Sequence, residues 1–149
     1  MVAKAYGYVK LAGKDKNKDP AFARQQKSIN GYAKQYGFGP IIFYQGLDAP
    51  NLEKGMIHTA FGRMVSDLVK NNIKTVIVEG LDCLVNDFEV QEQLIIYLAS
   101  KGDPLISART IENVTRSVME DPVRQKMIRN QEVFAELERN LLNGKSGIA

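Results

Sequence analysis

Four short apolar runs, separated by stretches with helical periodicity, constrain the fold of this chain more than any other feature. The runs are AYGYVKL (5–11), IIFYQ (41–45), TVIVEG (75–80) and PLISA (104–108). In the intervening stretches, apolar residues recur three or four positions apart, which is the period of an α-helix. Strands that alternate with helices of this length are joined by right-handed crossovers and form a parallel sheet with helices on both faces. The sequence therefore predicts an α/β fold with a mostly parallel sheet of four or five strands.

The end of the chain departs from this alternation. From Pro122 a helical pattern continues to Asn143 and Gly144. At 1.5 Å per residue, such a helix is on the order of 30 Å long, which is too long to lie wholly across a small sheet. We therefore expect residues 1–115 to form the α/β domain and residues 116–149 to add a long projecting helix for oligomerisation.

The predicted C-terminal helix carries an apolar stripe that is wider than a solvated helix needs. The predicted interface residues are Met127, Phe134, Leu137 and Leu141. A second copy of the chain is the simplest cover for this stripe, so we expect a homodimer or a higher oligomer. The alternative is that the stripe packs on the sheet of its own chain.

Composition argues against several classes of site. Cys83 is the only cysteine and His58 the only histidine, so neither an internal disulfide nor a Cys/His zinc site is predicted. We expect His58 at the exposed start of a helix rather than in a catalytic triad. No glycine-rich phosphate loop follows a strand, and no apolar run approaches the length of a membrane span. The expectation is a cytoplasmic protein without a metal or cofactor.

Positive charge is concentrated in the N-terminal part of the chain. The net charge of the whole chain is +3, whereas residues 1–40 carry eight Lys or Arg and two Asp. Part of this charge lies in the loop GKDKNKD, where Lys14, Lys16 and Lys18 follow the first strand. Alternating lysine and aspartate is typical of solvated loops, but the same lysines are also candidates for contacts with nucleic-acid phosphates.

Five segments in this order resemble the catalytic domain of the serine recombinases, the resolvase and invertase family. They are YGYVKLA, ARQQKSINGYAKQYG, IIFYQG, TVIVEGLDCLVND and AELERNLLNG. The resemblance implies a resolvase-like fold for nearly the whole chain. In that family the first strand ends in a Tyr-x-Arg-x-Ser pattern, whose serine attacks the scissile phosphate and becomes covalently linked to DNA. Arginines from that strand and from a Leu-Asp-Arg-x-x-Arg segment bind the phosphate.

The first strand departs from this family pattern at two catalytic positions. The segment Tyr8-Val9-Lys10-Leu11-Ala12 has lysine at the arginine position and alanine at the nucleophile position. Lysine offers a point charge, where arginine offers planar, bidentate donors to a phosphate. The methyl group of Ala12 cannot attack phosphorus, so the family's phosphoserine cannot form at this position.

The second motif is substituted as well. In LDCLVN (81–86), Asp82 matches the family aspartate, whereas Cys83 and Asn86 stand at the two arginine positions. Neither side chain supplies positive charge for the equatorial oxygens of a phosphoryl group. Gln45 stands where an acidic residue usually follows the second strand of the family, and Gln25 matches the family glutamine of the first helix.

The resemblance and the substituted positions together predict a serine-recombinase-like domain that has lost DNA cleavage and strand exchange. We expect it to act in DNA binding or in the assembly of a recombination-related complex. In the family a separate helix-turn-helix reads the DNA sequence, and we recognise no such segment within residues 1–149. Binding through Lys14, Lys16 and Lys18 is therefore expected to be weak, salt-dependent and poorly discriminating.

Two alternatives stay open at the level of sequence. The first is a protein interaction module that docks on another recombination, replication or packaging protein and never contacts DNA. The second is an active recombinase in which Cys83 replaces the serine, because a cation such as Lys10 lowers the pKa of a nearby thiol. Ser28, within the first predicted helix, is a further candidate nucleophile.

Overall fold

The computed structural model describes residues 3–10, 20–46, 60–84 and 88–143. The strands of the described residues are β1 (Ala5–Lys10), β2 (Ile42–Gly46), β3 (Thr75–Val78), β4 (Leu105–Ser107) and β5 (Glu112–Asn113). They form one five-stranded sheet in the order β2-β1-β3-β4-β5. The first four strands pair in parallel, and β5 is antiparallel to β4. The predicted α/β fold with a mostly parallel sheet is confirmed.

Helices alternate with the strands, as the periodicity predicts. They are α1 (Pro20–Gln35), α2 (Ala60–Asn71), α3 (Phe88–Ser100), α4 (Val114–Met119), α5 (Pro122–Arg129) and α6 (Gln131–Asn143). A 3₁₀ turn, Leu81–Cys83, follows β3. The short elements β5 and α4 fall between the fourth predicted strand and the predicted C-terminal helix, where the sequence indicated no element.

Both faces of β1 are buried, which explains why its sequence is a continuous apolar run. Successive side chains of a strand point to opposite faces of the sheet. Tyr6 and Tyr8 belong to the larger apolar core, which α2 and α3 share. Ala5 and Val9 belong to the smaller core, which includes Ile29 of α1. The sheet is therefore covered by helices on both faces, as predicted.

The prediction of one long C-terminal helix was wrong at Asn130. This residue has extended backbone, with φ −81° and ψ 105°, and it separates α5 from α6. Its side-chain oxygen accepts a hydrogen bond from the backbone N–H of Val133 at 3.1 Å, which is the N-cap arrangement. Asparagine favours such caps over helix interiors, because its side chain competes for backbone hydrogen bonds.

Apolar side chains of α5 and α6 pack on the α/β domain, so the described helices do not form a projecting rod. Leu137 is only 7% exposed and belongs to the larger core. Met127 and Phe134 are partly buried against the same core. For these three residues the structure agrees with the alternative prediction, in which the apolar stripe packs on its own chain. The side chain of Leu141 lies outside the described residues, and the predicted oligomer interface stays a prediction.

Two ion pairs join these C-terminal helices to α3. Arg124 of α5 donates two hydrogen bonds to the carboxylate of Glu92, at 3.1 and 2.6 Å. Lys101, just after α3, pairs with Glu138 of α6 at 3.2 Å. These ion pairs hold α5 and α6 against α3 and the residue that follows it.

Candidate functional site

The carboxyl ends of β1, β3 and β4 lie at one edge of the sheet, called the carboxyl edge below. This is the edge where parallel α/β folds commonly place their ligand sites. Gln25 of α1 fixes the end of β1 there: its amide oxygen accepts from the Lys10 backbone N–H at 2.9 Å, and its amide nitrogen donates to the Lys10 carbonyl at 2.8 Å. Gln25 is buried, so the residue that matches the family glutamine supports the backbone in this chain.

A buried carboxylate, Glu79, lies directly after β3 at this edge and is 4% exposed. It accepts hydrogen bonds from Arg24 Nε at 3.1 and 3.2 Å and from the hydroxyl of Ser28 at 3.1 Å. The thiol of Cys83 donates to the same carboxylate, with 3.8 Å between Sγ and Oε1. We call these four residues the Glu79 cluster. Because a charge is buried only when it is paired, these donors explain how the interior tolerates the carboxylate.

The Cys83 thiol has the opposite of the environment that activates a cysteine nucleophile. Its side chain is 5% exposed. Burial raises the pKa of Cys83, and the negative charges of Asp82 and Glu79 raise it further. Reactive cysteines have a lowered pKa and an accessible sulfur. The geometry therefore argues against the alternative in which Cys83 replaces the missing serine.

A second ion pair crosses the carboxyl edge. Arg109, two residues after β4, donates from a terminal guanidinium nitrogen to Asp82 Oδ1 at 2.5 Å. The two side chains pass so close to Gly80 that a Cβ there would lie 1.9 Å from the Arg109 nitrogen and 2.7 Å from Asp82 Oδ1. Glycine is therefore the residue that leaves space for this contact. Hydrogen bonding to Asp82 raises the pKa of Arg109, so the guanidinium stays charged.

An open cleft of about 410 Å³ lies beside this ion pair. Its walls include the charged groups of Asp82, Arg109 and Glu112 and the hydroxyls of Ser107 and Thr110. One guanidinium thus faces two carboxylates, so the cleft does not concentrate positive charge. Among the described residues that line it, Arg109 supplies the only cationic group.

The structure brings together part of the predicted catalytic set. Lys10, Asp82 and Cys83 lie at the carboxyl edge. Gln45 is the penultimate residue of β2 and pairs with Val9 in the parallel register, so it lies one position from the same edge. The predicted residues that lie outside the described part of the chain are Ala12, Asn86, the three loop lysines Lys14, Lys16 and Lys18, and His58.

The acidic residue at the end of β3 was missed in the sequence, although one signal for it was present. Glu79 directly follows TVIV, a buried strand that ends at the edge where ligand sites form. Arg24 and Arg109, which pair with acids at this edge, lie in α1 and after β4, and the spacing of the sequence gives no indication of these contacts.

No group of three or more His, Cys, Asp or Glu side chains among the described residues could hold a metal ion. No described helix is long and apolar enough to cross a membrane.

The family model described as the resolvase N-terminal domain matches residues 5–147. The chain belongs to the resolvase N-terminal domain family. The resemblance stated from the sequence is therefore confirmed over almost the whole chain. A search of the curated proteins gave no significant match.

Solved structures of recombinase domains share the fold of this resolvase-family chain. The N-terminal catalytic domain of TP901-1 integrase has a TM-score of 0.58 and 17% identity, covering 93% of this chain and 98% of that one. The C-terminal catalytic domain of ISC1926 TnpA, an IS607-like serine recombinase, has a TM-score of 0.54 and 11% identity, covering 89% and 99%. At these identities the likeness concerns the fold alone.

A third solved structure has a similar relation to the resolvase-family chain. The C-terminal catalytic domain of IS1535 TnpA, also an IS607-like serine recombinase, has a TM-score of 0.50 and 16% identity. It covers 92% of this chain and is itself covered completely, at 100%. The present chain therefore spans the full length of such catalytic domains.

Proposed function

We propose that this resolvase-family domain has lost DNA cleavage and strand exchange and acts by binding DNA or by assembling a recombination-related complex. The observation that carries the proposal is the Glu79 cluster. A buried carboxylate accepts hydrogen bonds from Arg24, Ser28 and Cys83 at the edge where the family binds its phosphate. The protein's own carboxylate therefore already occupies the Nε of Arg24, the hydroxyl of Ser28 and the thiol of Cys83.

The chemistry of phosphoryl transfer supports this proposal. The transition state spreads negative charge over equatorial oxygens and requires preorganised cationic donors. Here the guanidinium of Arg24 is paired with Glu79, and that of Arg109 with Asp82. At the family arginine position, the thiol of Cys83 carries no positive charge. Ala12 at the nucleophile position removes the attacking group itself.

DNA contact is proposed for the basic loop that follows β1. Fluorescence anisotropy with a labelled duplex, titrated across a salt series, tests it. We expect weak binding that falls steeply as salt rises, because each neutralised phosphate contributes about −0.9 to the slope of log K against log salt. Replacing Lys14, Lys16 and Lys18 together by alanine should lower affinity and flatten the slope, whereas replacing them by arginine should preserve both. Absence of binding at low salt would contradict a DNA role.

The second candidate function is a protein interaction module. Apolar side chains on the C-terminal helices are exposed to solvent, among them Val123 of α5 at 68% and Val133 of α6 at 41%. Exposed apolar side chains on consecutive helices offer contacts to another polypeptide if they form one patch. This observation favours assembly through the C-terminal helices, even though Leu137 is packed inside.

A further inference from the structure

The edge of the sheet opposite the carboxyl edge is strongly basic. We call it the amino edge; it contains the starts of the parallel strands and the loops that lead into them. Lys4 immediately precedes β1 and Lys74 immediately precedes β3. Because Ala5 pairs with Thr75 in the sheet, these two lysines stand next to each other on neighbouring strands. Neighbouring strands lie about 4.8 Å apart.

Lysines from both helix layers extend this row. Lys34 lies in the last turn of α1, on one face of the sheet. Lys70 lies in the last turn of α2 and Lys101 directly after α3, both on the other face. All five amino-edge lysines are exposed to solvent. The basic surface therefore extends across all three layers of the domain.

Acidic residues offset little of this charge. Segments 3–4, 34–41, 70–74 and 101–104 contain five lysines and one acidic residue, Asp103, which gives a net +4. The whole chain has a net charge of only +3. Asp103 is buried, and burial raises its pKa. Lys101 forms an ion pair with Glu138 at 3.2 Å, which joins the edge to α6.

Helix macrodipoles explain only part of this arrangement. A lysine in the last turn of a helix stabilises the helix, which accounts for Lys34 and Lys70. Lys4 and Lys74 precede strands, where there is no helix end to stabilise. Two like charges on adjacent strands repel each other, so folding alone does not favour their placement.

An exposed aromatic ring lies beside the lysines. Tyr36 follows the last turn of α1, is 45% exposed and stacks on Tyr32 with 4.4 Å between ring centroids. The next residue is fixed against the start of β1, because the Ala3 N–H donates to the Gly37 carbonyl at 3.2 Å. The ring is therefore held on the same edge as Lys4. Basic side chains with a supported aromatic ring form the type of surface that binds single-stranded nucleic acid.

We propose that the amino edge binds single-stranded DNA, with the lysines contacting phosphates and Tyr36 stacking on an unpaired base. This surface is separate from the carboxyl edge, so the inference goes beyond the proposed function and does not rest on the loop lysines. Because stacking requires an unpaired base, the ring should add affinity for single strands and not for duplexes.

Anisotropy with a labelled oligothymidine and a labelled duplex tests this inference on the full chain. Replacing Lys4, Lys34 and Lys74 together by alanine should weaken binding to the oligothymidine about tenfold at low salt. It should also reduce the slope of log K against log salt by about 2, because each lost phosphate contact contributes about 0.7. The matched triple arginine variant should bind like the unmodified chain. Tyr36→Ala should weaken binding to the single strand several-fold and leave duplex binding unchanged. Circular dichroism melting checks that each variant is folded.

The remaining outcomes either overturn the inference or separate it from the role of the loop lysines. If the triple alanine variant binds as the unmodified chain does, the amino edge is not the site. Equal affinity for polyglutamate and for oligothymidine would identify an acidic polypeptide as the partner instead. If only the alanine variant of Lys14, Lys16 and Lys18 loses DNA, the proposed function stands and this inference fails. If only the amino-edge variant loses DNA, this inference stands and the role of the loop lysines fails.

Discussion

A single residue, Glu79, engages several hydrogen-bond donors of the carboxyl edge. Its carboxylate occupies the donors of Arg24, Ser28 and Cys83, and it does so while almost fully buried. Cys83 carries no positive charge at a position where the family resemblance implies arginine, and Glu79 places a negative charge beside it.

The pKa of Cys83 provides a test of the Glu79 cluster. In Glu79→Gln one of the negative charges that raise the thiol pKa is removed, so the pKa should fall and alkylation by iodoacetamide at pH 8 should become several-fold faster. The matched control is Glu92→Gln, because Glu92 pairs with Arg124 away from this cluster. Equal alkylation rates in the unmodified chain and in Glu79→Gln would show that the carboxylate does not act on the thiol.

Tyr8, in the motif of the first strand, gives a prediction of pH-dependent stability. Burial raises its pKa to about 12, so between pH 10 and 12 the folded state holds a proton that the unfolded state loses. The contribution of the buried, protonated Tyr8 to the free energy of unfolding is therefore fully present below pH 10 and is lost as the pH rises through about 12. Between pH 8 and 11 the free energy of unfolding should fall by about 1 kcal/mol less in Tyr8→Phe than in the unmodified chain. Urea denaturation at the two pH values measures this, and identical falls would contradict it.

At the scale of elements, the C-terminal helices combine a packed side with an exposed side. Leu137 is in the core, whereas Val123 and Val133 are exposed. An aspartate at Leu137 should therefore destabilise the fold by about 3 kcal/mol or more, since it removes a buried leucine and buries a charge. Chemical denaturation measures the difference. A change below 1 kcal/mol would show that Leu137 is not part of the core.

Assembly should depend on the exposed side of the same helices. Val123→Asp together with Val133→Asp should convert an oligomer to a monomer without loss of the fold, as measured by light scattering coupled to size exclusion. The matched control is Val69→Asp on α2, which is 79% exposed and lies outside these helices. If the double variant keeps the mass of the unmodified chain, the interaction role of this surface is wrong.

How far the elements could be predicted depended on the physical signal that each one carries. The strands β1 to β4 were predicted because burial on both faces forces a run of apolar residues such as TVIV. The break at Asn130 was missed because apolar spacing continues through it, and only its capping side chain marks the boundary. The pairings of Arg24 with Glu79 and of Arg109 with Asp82 join residues far apart in sequence, so periodicity carries no information about them.

For the whole molecule, the two edges of the sheet have different electrostatics. At the carboxyl edge, carboxylates pair with the arginines Arg24 and Arg109. At the amino edge, five exposed lysines stand with one buried aspartate. A chain with a net charge of only +3 thus has a strongly basic surface away from the edge where the family performs its chemistry. Net charge alone is therefore a poor guide to where this molecule meets a polyanion.

If the domain has lost DNA cleavage as proposed, it should form no covalent protein–DNA adduct. The chain would be incubated with negatively supercoiled plasmid, denatured, and assayed for nicks and for DNA-linked protein, beside an active serine recombinase on its own site. The unmodified chain and Ala12→Ser alone should give neither, because a serine at position 12 would restore the nucleophile without the arginines that bind the phosphate. An adduct formed by the unmodified chain would show that the domain does cleave DNA, and its loss in Cys83→Ser would identify the thiol as the nucleophile.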